Sequence, residues 1–150
     1  MQIRRLAFAV LPVVAAAGLG GLASRDAPET YGRLHKPTWA PPAAAFGPVW
    51  TVLYTGIAIA GGRLYDAGSP RTKRLHLTQL ALNTAWPAAF FGAREKKISL
   101  AVIVALDALV AAEVAAARRE DPASAALLAP YLAWTGFATA LNASVSEPEA

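Results

Sequence analysis

The sequence predicts an all-α integral membrane protein, a single domain of five transmembrane helices over residues 1–150, and three observations predict it. The 150-residue chain is 55% hydrophobic and only 16% charged, against the ~25% charged that soluble domains carry. That much apolar surface also excludes a disordered chain. Residues 6–24, 37–62, 75–93 and 122–146 hold no Asp, Glu, Lys or Arg, and residues 98–117 hold only Asp107 and Glu113. The charges gather instead in short connectors, at 25–36, 63–74, 94–97 and 118–121. A soluble bundle would show a charged helix face at a 3.6-residue period. A bilayer core of ~30 Å needs about 20 mostly apolar residues per helix, which every one of the five segments supplies.

The first expected span, 6–24, follows Arg4-Arg5 and ends at Ala23-Ser24. A cleaved signal peptide shows the same order, but its apolar core runs only ~7–15 residues, so the length favours a retained helix. The next segment, 25–43, is the longest connector and closes on Lys36-Pro37-Thr38-Trp39-Ala40-Pro41-Pro42. Closely spaced prolines deny it a regular helix and favour extended backbone. Trp39 there has two readings, an interfacial anchor or part of a lid folded over the bundle. The remaining spans are expected at 44–62, 75–93, 98–117 and 123–144, joined by short loops that make successive helices antiparallel neighbours. Pro12, Pro87 and Pro130 fall within spans and can bend them, as membrane interiors tolerate.

With five spans, Arg4, Arg5, Arg63, Arg71, Lys73, Arg74, Arg118 and Arg119 lie on one side of the membrane. Arg25, Arg33, Lys36, Arg94, Lys96 and Lys97 lie on the other. The excess on the first side favours a cytoplasmic N-terminus. A net charge of +4 and a pI near 9.8 raise the question of nucleic acid. The basic loops do not alternate with aromatics, and anionic lipid headgroups suit them better. No cysteine is present, which excludes disulfides, thiolate metal sites and cysteine nucleophiles. His35 and His76, the only two histidines, sit at loop or span edges with no acidic residue at metal-ligand spacing. Neither a metal site nor a catalytic triad can be argued from them.

The aromatic residues carry the functional signal. Phe46, Trp50 and Tyr54 follow i, i+4, i+8 on the second span, and Asn83, Trp86 and Phe90 follow i, i+3, i+7 on the third. Tyr131, Trp134, Ala138 and Leu141 follow i, i+3, i+7, i+10 on the fifth. Each set lies on one helix face. If the three stripes converge, they enclose a flat-sided apolar cavity suited to a planar ligand; ordinary bundle packing is the competing reading. Among polar groups inside spans, Asn83 and Asn142 need partners. Asp107 is the most expensive residue in the chain, at roughly 2.5–3.5 kcal/mol on insertion scales. It is expected to face the bundle and bond to Asn83 or a backbone group, with a structural role preferred over a proton-relay or ligand role. Glu113 is expected to reach outward toward Arg118 near the helix exit.

The string from Lys36 to Pro42, then Phe46-Gly47-Pro48-Val49-Trp50-Thr51-Val52-Leu53-Tyr54, resembles the translocator protein family, the tryptophan-rich sensory proteins. The likeness continues through Gln79–Pro87, Phe90-Phe91-Gly92, Asp107, Pro130–Trp134 and Phe137–Asn142. It implies a retained first span and a five-helix membrane bundle that forms homodimers. It also implies an integral, multi-pass protein, here of a bacterial cell membrane. The ligands it implies are porphyrins, protoporphyrin or haem, with no other cofactor required, and other flat apolar molecules. Carried over residue by residue, the ligand cavity falls on Phe46, Trp50, Tyr54, Asn83, Trp86, Phe90, Asp107, Trp134, Ala138 and Leu141, capped by Trp39, Pro41 and Pro42. Two departures stand out. Family members often carry a second Trp where this chain has Ala44. No Lys or Arg follows Tyr131, so that end supplies no cholesterol motif of the proposed kind. Two functions follow from the resemblance: a tetrapyrrole sensor, carrier or sequestering protein, or an enzyme degrading porphyrin under light through Trp50 and Trp134. A structural membrane protein without a ligand is the third reading.

Overall fold

The computed structural model describes residues 2–146, which are helical almost throughout and contain no strand. The acidic residues Glu147 and Glu149 that close the sequence lie outside the described residues. Helix α1 runs Gln2–Ala23, a short α2 runs Ala27–Arg33, and a 3₁₀ turn at Ala43–Ala45 leads into α3, Phe46–Ala67. Helix α4 runs Pro70–Pro87 and continues as a wider π turn over Ala88–Gly92. Helix α5 runs Lys96–Glu120 and α6 Pro122–Ser144.

Helix boundaries follow local chemistry. Ser69 Oγ accepts from the Thr72 amide at the start of α4, and Asp121 accepts from the Ser124 amide at the start of α6, each ahead of a proline in the first turn. These side chains satisfy amides that a helix start leaves unpaired, where proline is preorganised. Pro87 has no amide hydrogen to give the preceding turn, and the backbone relaxes there into the π turn. The turn leading to α5 places Arg94 at φ 56°, the one non-glycine residue with positive φ among the described residues.

Five long helices close a ring: α1 packs on α3, α3 on α6, α6 on α5, α5 on α4, and α4 back on α1. The core at its centre includes Val13, Ile57, Leu80, Leu106, Val110, Leu128 and Tyr131. One expectation is corrected here. Helices α3 and α4 are joined by only Gly68 and Ser69, yet they touch little, because α1 lies between them. Small residues let it in. A Cβ on Gly61 would stand 3.4 Å from Ala9 Cα, and one on Gly62 3.6 Å from Ala9 Cβ, a close approach typical of membrane helix pairs. Arg5 then reaches the end of α3, donating to Gly62 O at 2.9 Å and pairing with Asp66 at 2.8 Å.

Four helical segments are long and apolar enough to cross a membrane: Gln2–Ala23, Ala43–Ala67, Lys96–Glu120 and Pro122–Ser144. The segment expected at 75–93 is helical, but its helix begins five residues earlier and takes in Arg71, Lys73 and Arg74. Its inner face is polar as well, so composition alone does not mark it as a span. Apolar side chains cover the outside of the ring, Ile3 being 82% and Leu11 64% exposed. Such an outward surface fits a hydrocarbon solvent and would be an aggregation hazard in water.

Candidate functional site

The aromatic stripes converge. Between the helices lies a partly open cavity of about 380 Å³, inside the ~300–1,000 Å³ range of small-molecule sites. Helix α3 contributes Phe46, Trp50 and Tyr54, α4 contributes Asn83 and Trp86, and the π turn contributes Phe90. Trp134, Ala138 and Leu141 come from α6. The π turn has a consequence for the site, since it changes the register after Pro87 and stacks Phe90 on Trp86, ring centroids 5.1 Å apart. Trp50 lies against Tyr54 at 5.2 Å, and Trp134 meets Phe46 edge-on at 6.0 Å.

The polar groups in this wall are already bonded to one another. Tyr54 Oη donates to Asn83 Oδ1 at 2.8 Å, and Asn83 Nδ2 donates to Tyr131 Oη at 2.9 Å. Tyr131 in turn donates to Gln79 Oε1 at 2.7 Å. On the other side Trp86 Nε1 donates to Asn142 Oδ1 at 2.8 Å. That leaves Asn142 Nδ2 buried with no partner, on a residue that lines the cavity.

Not every expected residue lines the cavity. Asp107 lies between α5 and α6, where its Oδ2 accepts from Thr139 Oγ1 at 2.5 Å. Asn83, one expected partner of Asp107, is taken by the two tyrosines. Trp39, Pro41 and Pro42 form an outer layer. Trp39 is 48% exposed and meets Phe137 edge-on at 5.6 Å. The connector is also less irregular than its prolines suggest, since Ala27–Arg33 forms a helix with Pro28 in its first turn. From it Tyr31 enters the cavity wall, donates to Pro41 O at 2.7 Å and packs edge-on against Phe46. Burial pushes the Tyr31 phenol above its ordinary value. Lys36 holds this turn by donating to the carbonyls of Tyr31 and Leu34 at 2.8 and 3.1 Å. An antiparallel bridge from His35 to Ser146 ties the connector to the end of α6.

Two further expectations are overturned. Glu113 does not reach outward to Arg118 but is fully buried. His76 does have an acidic neighbour: Glu113 Oε1 stands 2.5 Å from its Nδ1. The two are far apart in sequence and meet because α4 packs on α5.

The sequence profile of the TspO/MBR family matches residues 8–147. The human Translocator protein is 38% identical over 118 residues, covering 75% of this chain and 70% of its own length. The Tryptophan-rich protein TspO of Archaeoglobus fulgidus is 36% identical over 149 residues, 97% of each chain. The Tryptophan-rich sensory protein of Cereibacter sphaeroides is 37% identical over 129 residues, 85% of this chain and 80% of its own. A ring of apolar helices around an aromatic cavity thus coincides with likeness along nearly the whole sequence, and the chain is a membrane-embedded member of the TspO/MBR family.

Proposed function

We propose that the protein binds a tetrapyrrole, protoporphyrin or haem, in the cavity between its helices, and acts as a sensor, carrier or sequestering protein for it. The observation that carries this reading is the wall itself. Trp50, Trp86, Trp134, Phe46 and Phe90 come from three separate parts of the chain to one space. Flat rings offered from several sides favour a flat, polarisable guest. In this reading all five long helices span the bilayer, α4 included, with its polar face turned inward and its charged first turns at the surface. The assembly is a homodimer.

The test is quenching of tryptophan fluorescence by a porphyrin series on purified protein. Saturable quenching, weakened by Trp50→Leu, supports the reading, and absence of quenching removes it. The five-span topology is checked with reporter fusions at Gln2 and Ala150, which should show opposite accessibility. Light-driven porphyrin breakdown is a second reading, favoured by one observation: oxidisable indoles, Trp50 and Trp134 together with Trp86, line the same cavity. Illuminating bound porphyrin and following products separates it from plain binding.

A further inference from the structure

Helix α4 carries a polar seam on its inner face. Thr72, His76, Gln79 and Asn83 follow i, i+4, i+7, i+11, and none is more than 4% exposed. The seam spans roughly 16 Å at 1.5 Å rise per residue, from the exposed charges around Ser69 to the cavity wall. Six buried side-chain polar atoms lack a partner among the described residues, and four belong to this seam and the α5 face across it. They are His76 Nε2, Gln79 Nε2, Glu113 Oε2 and Glu120 Oε2. Clustered orphan polar atoms in a bundle interior are the usual mark of ordered water.

The His76–Glu113 pair sits midway along. Its contact uses Nδ1 and Oε1, so both unpartnered atoms, Nε2 and Oε2, lie away from the bond. Nε2 points at α3, where a Cβ on Gly61 would come within 2.8 Å of it. Phe8 of α1 stacks on the ring at 5.5 Å. The ionisable groups on the surrounding elements include Arg5 on α1, Tyr65 and Asp66 on α3, Lys73 on α4, Glu120 on α5 and Tyr131 on α6. Arg5 pairs with Asp66, Lys73 lies over Tyr65, and Tyr131 donates to Gln79. Neither free atom of the pair is taken by these groups.

We propose that His76–Glu113 is a buried proton-binding site, reached by water from the Ser69 end of α4 along this seam. In the proton-poor form a neutral imidazole donates from Nδ1–H to the Glu113 carboxylate, leaving one buried negative charge. Uptake of one proton from water places it on Nε2 and gives an imidazolium–carboxylate pair with no net charge. The short Nδ1 contact persists in both forms, so the fold need not change. Intramembrane ionisable residues are functional by default, and this inference does not depend on which ligand the cavity takes.

The experiment uses ring-¹⁵N-histidine NMR on the full chain in phosphatidylcholine nanodiscs. A His35→Gln background leaves His76 as the single labelled imidazole, since the chain has two histidines. The His76 Nε2 signal should move reversibly as the folded protein is acidified, with circular dichroism unchanged. Glu113→Gln should weaken proton binding about tenfold or more, because an adjacent carboxylate favours the charged imidazole. Thr72→Val, which removes a hydroxyl from the seam, should slow exchange of the Nε2 proton with water several-fold. Ring signals that stay fixed at every pH at which the protein remains folded would overturn the proposal. So would exchange as slow as global unfolding, or exchange unaffected by Thr72→Val. If Glu113→Gln does not fold, the first and third measurements still decide.

Discussion

Asn83 joins three helices through two hydrogen bonds, and its removal tests whether the cavity wall is held by this amide. Asn83→Leu keeps the approximate volume, so no cavity term enters, and deletes the bonds from Tyr54 Oη and to Tyr131 Oη, at 2.8 and 2.9 Å. Hydrogen bonds between membrane helices average ~0.6 kcal/mol and reach ~1.7. Two of them give a loss of about 1.2 kcal/mol, and up to about 3 if both are near the maximum. Tyr131 keeps its bond to Gln79, which limits the damage on α6, and the Tyr54 hydroxyl can turn into the cavity. The expected loss is therefore about 1–2 kcal/mol. The assay is reversible unfolding in mixed micelles, followed by circular dichroism without ligand and repeated for Tyr54→Phe and the double variant. The pair should couple by about 0.6 kcal/mol, since one bond is common to both deletions. An Asn83→Leu protein as stable as wild type would refute the reasoning, and so would strictly additive single losses.

Other expectations follow from the same geometry. Asp107→Asn should keep stability, because an amide oxygen still accepts from Thr139; Asp107→Leu should lose roughly 1 kcal/mol, and Thr139→Val should add little to it in the same micelle assay. Arg94→Gly should raise thermal stability by about 0.5–1 kcal/mol, the left-handed penalty less the entropy glycine adds to the unfolded chain. The Arg63 guanidinium, donating to both Asp121 oxygens at 2.8 and 3.0 Å, holds that carboxyl well below its ordinary range. A depressed carboxyl stabilises the fold above its unfolded value and loses that contribution as pH falls. The melting temperature of wild type should thus drop below about pH 4, and that of Asp121→Asn should drop less. Trp50→Leu and Trp134→Leu should each weaken porphyrin binding about fivefold, on the order of 1 kcal/mol per ring, with Trp→Phe retaining more. Equal affinity in fluorescence titrations would show that these rings do not contact the guest.

Much of the architecture was legible because it depends on burial in a uniform apolar solvent. Uninterrupted apolar runs set most helix ends to within a few residues, but the second span's helix runs five residues past its expected end and the third's begins five residues early. There a charged surface turn and an apolar interior share one helix, and hydropathy averaged over α4 blurs both. The short helix Ala27–Arg33 went unread since Pro28, Glu29 and Gly32 give it no apolar period, and its stability comes from Tyr31 docking against Phe46. The position of α1 between α3 and α4 was not readable from loop length. It follows from the Ala9–Gly61–Gly62 contact, a matter of side-chain size on two helices distant in sequence.

The site divides along the same physical line. A stripe of aromatics on one helix is a local property, so spacing put Trp50, Trp86 and Trp134 each on one helix face and left open whether those faces meet; the fold brings them to one cavity. Partner choice among buried polar groups is nonlocal. Asn83 could have bonded Asp107, but Tyr54 and Tyr131 flank it on both sides, and Asp107 turns instead to Thr139 one helix away. Glu113 presented the same choice between two partners, an exposed Arg118 that needs only a flexible stem and a buried His76 that needs α4 in register with α5. Packing chose the second. The outcome places part of the aromatic cavity wall and the polar seam on one helix, where Asn83 belongs to both. Substitutions on α4 should therefore be read with two measurements, ligand affinity and proton exchange, since either can move through that shared residue.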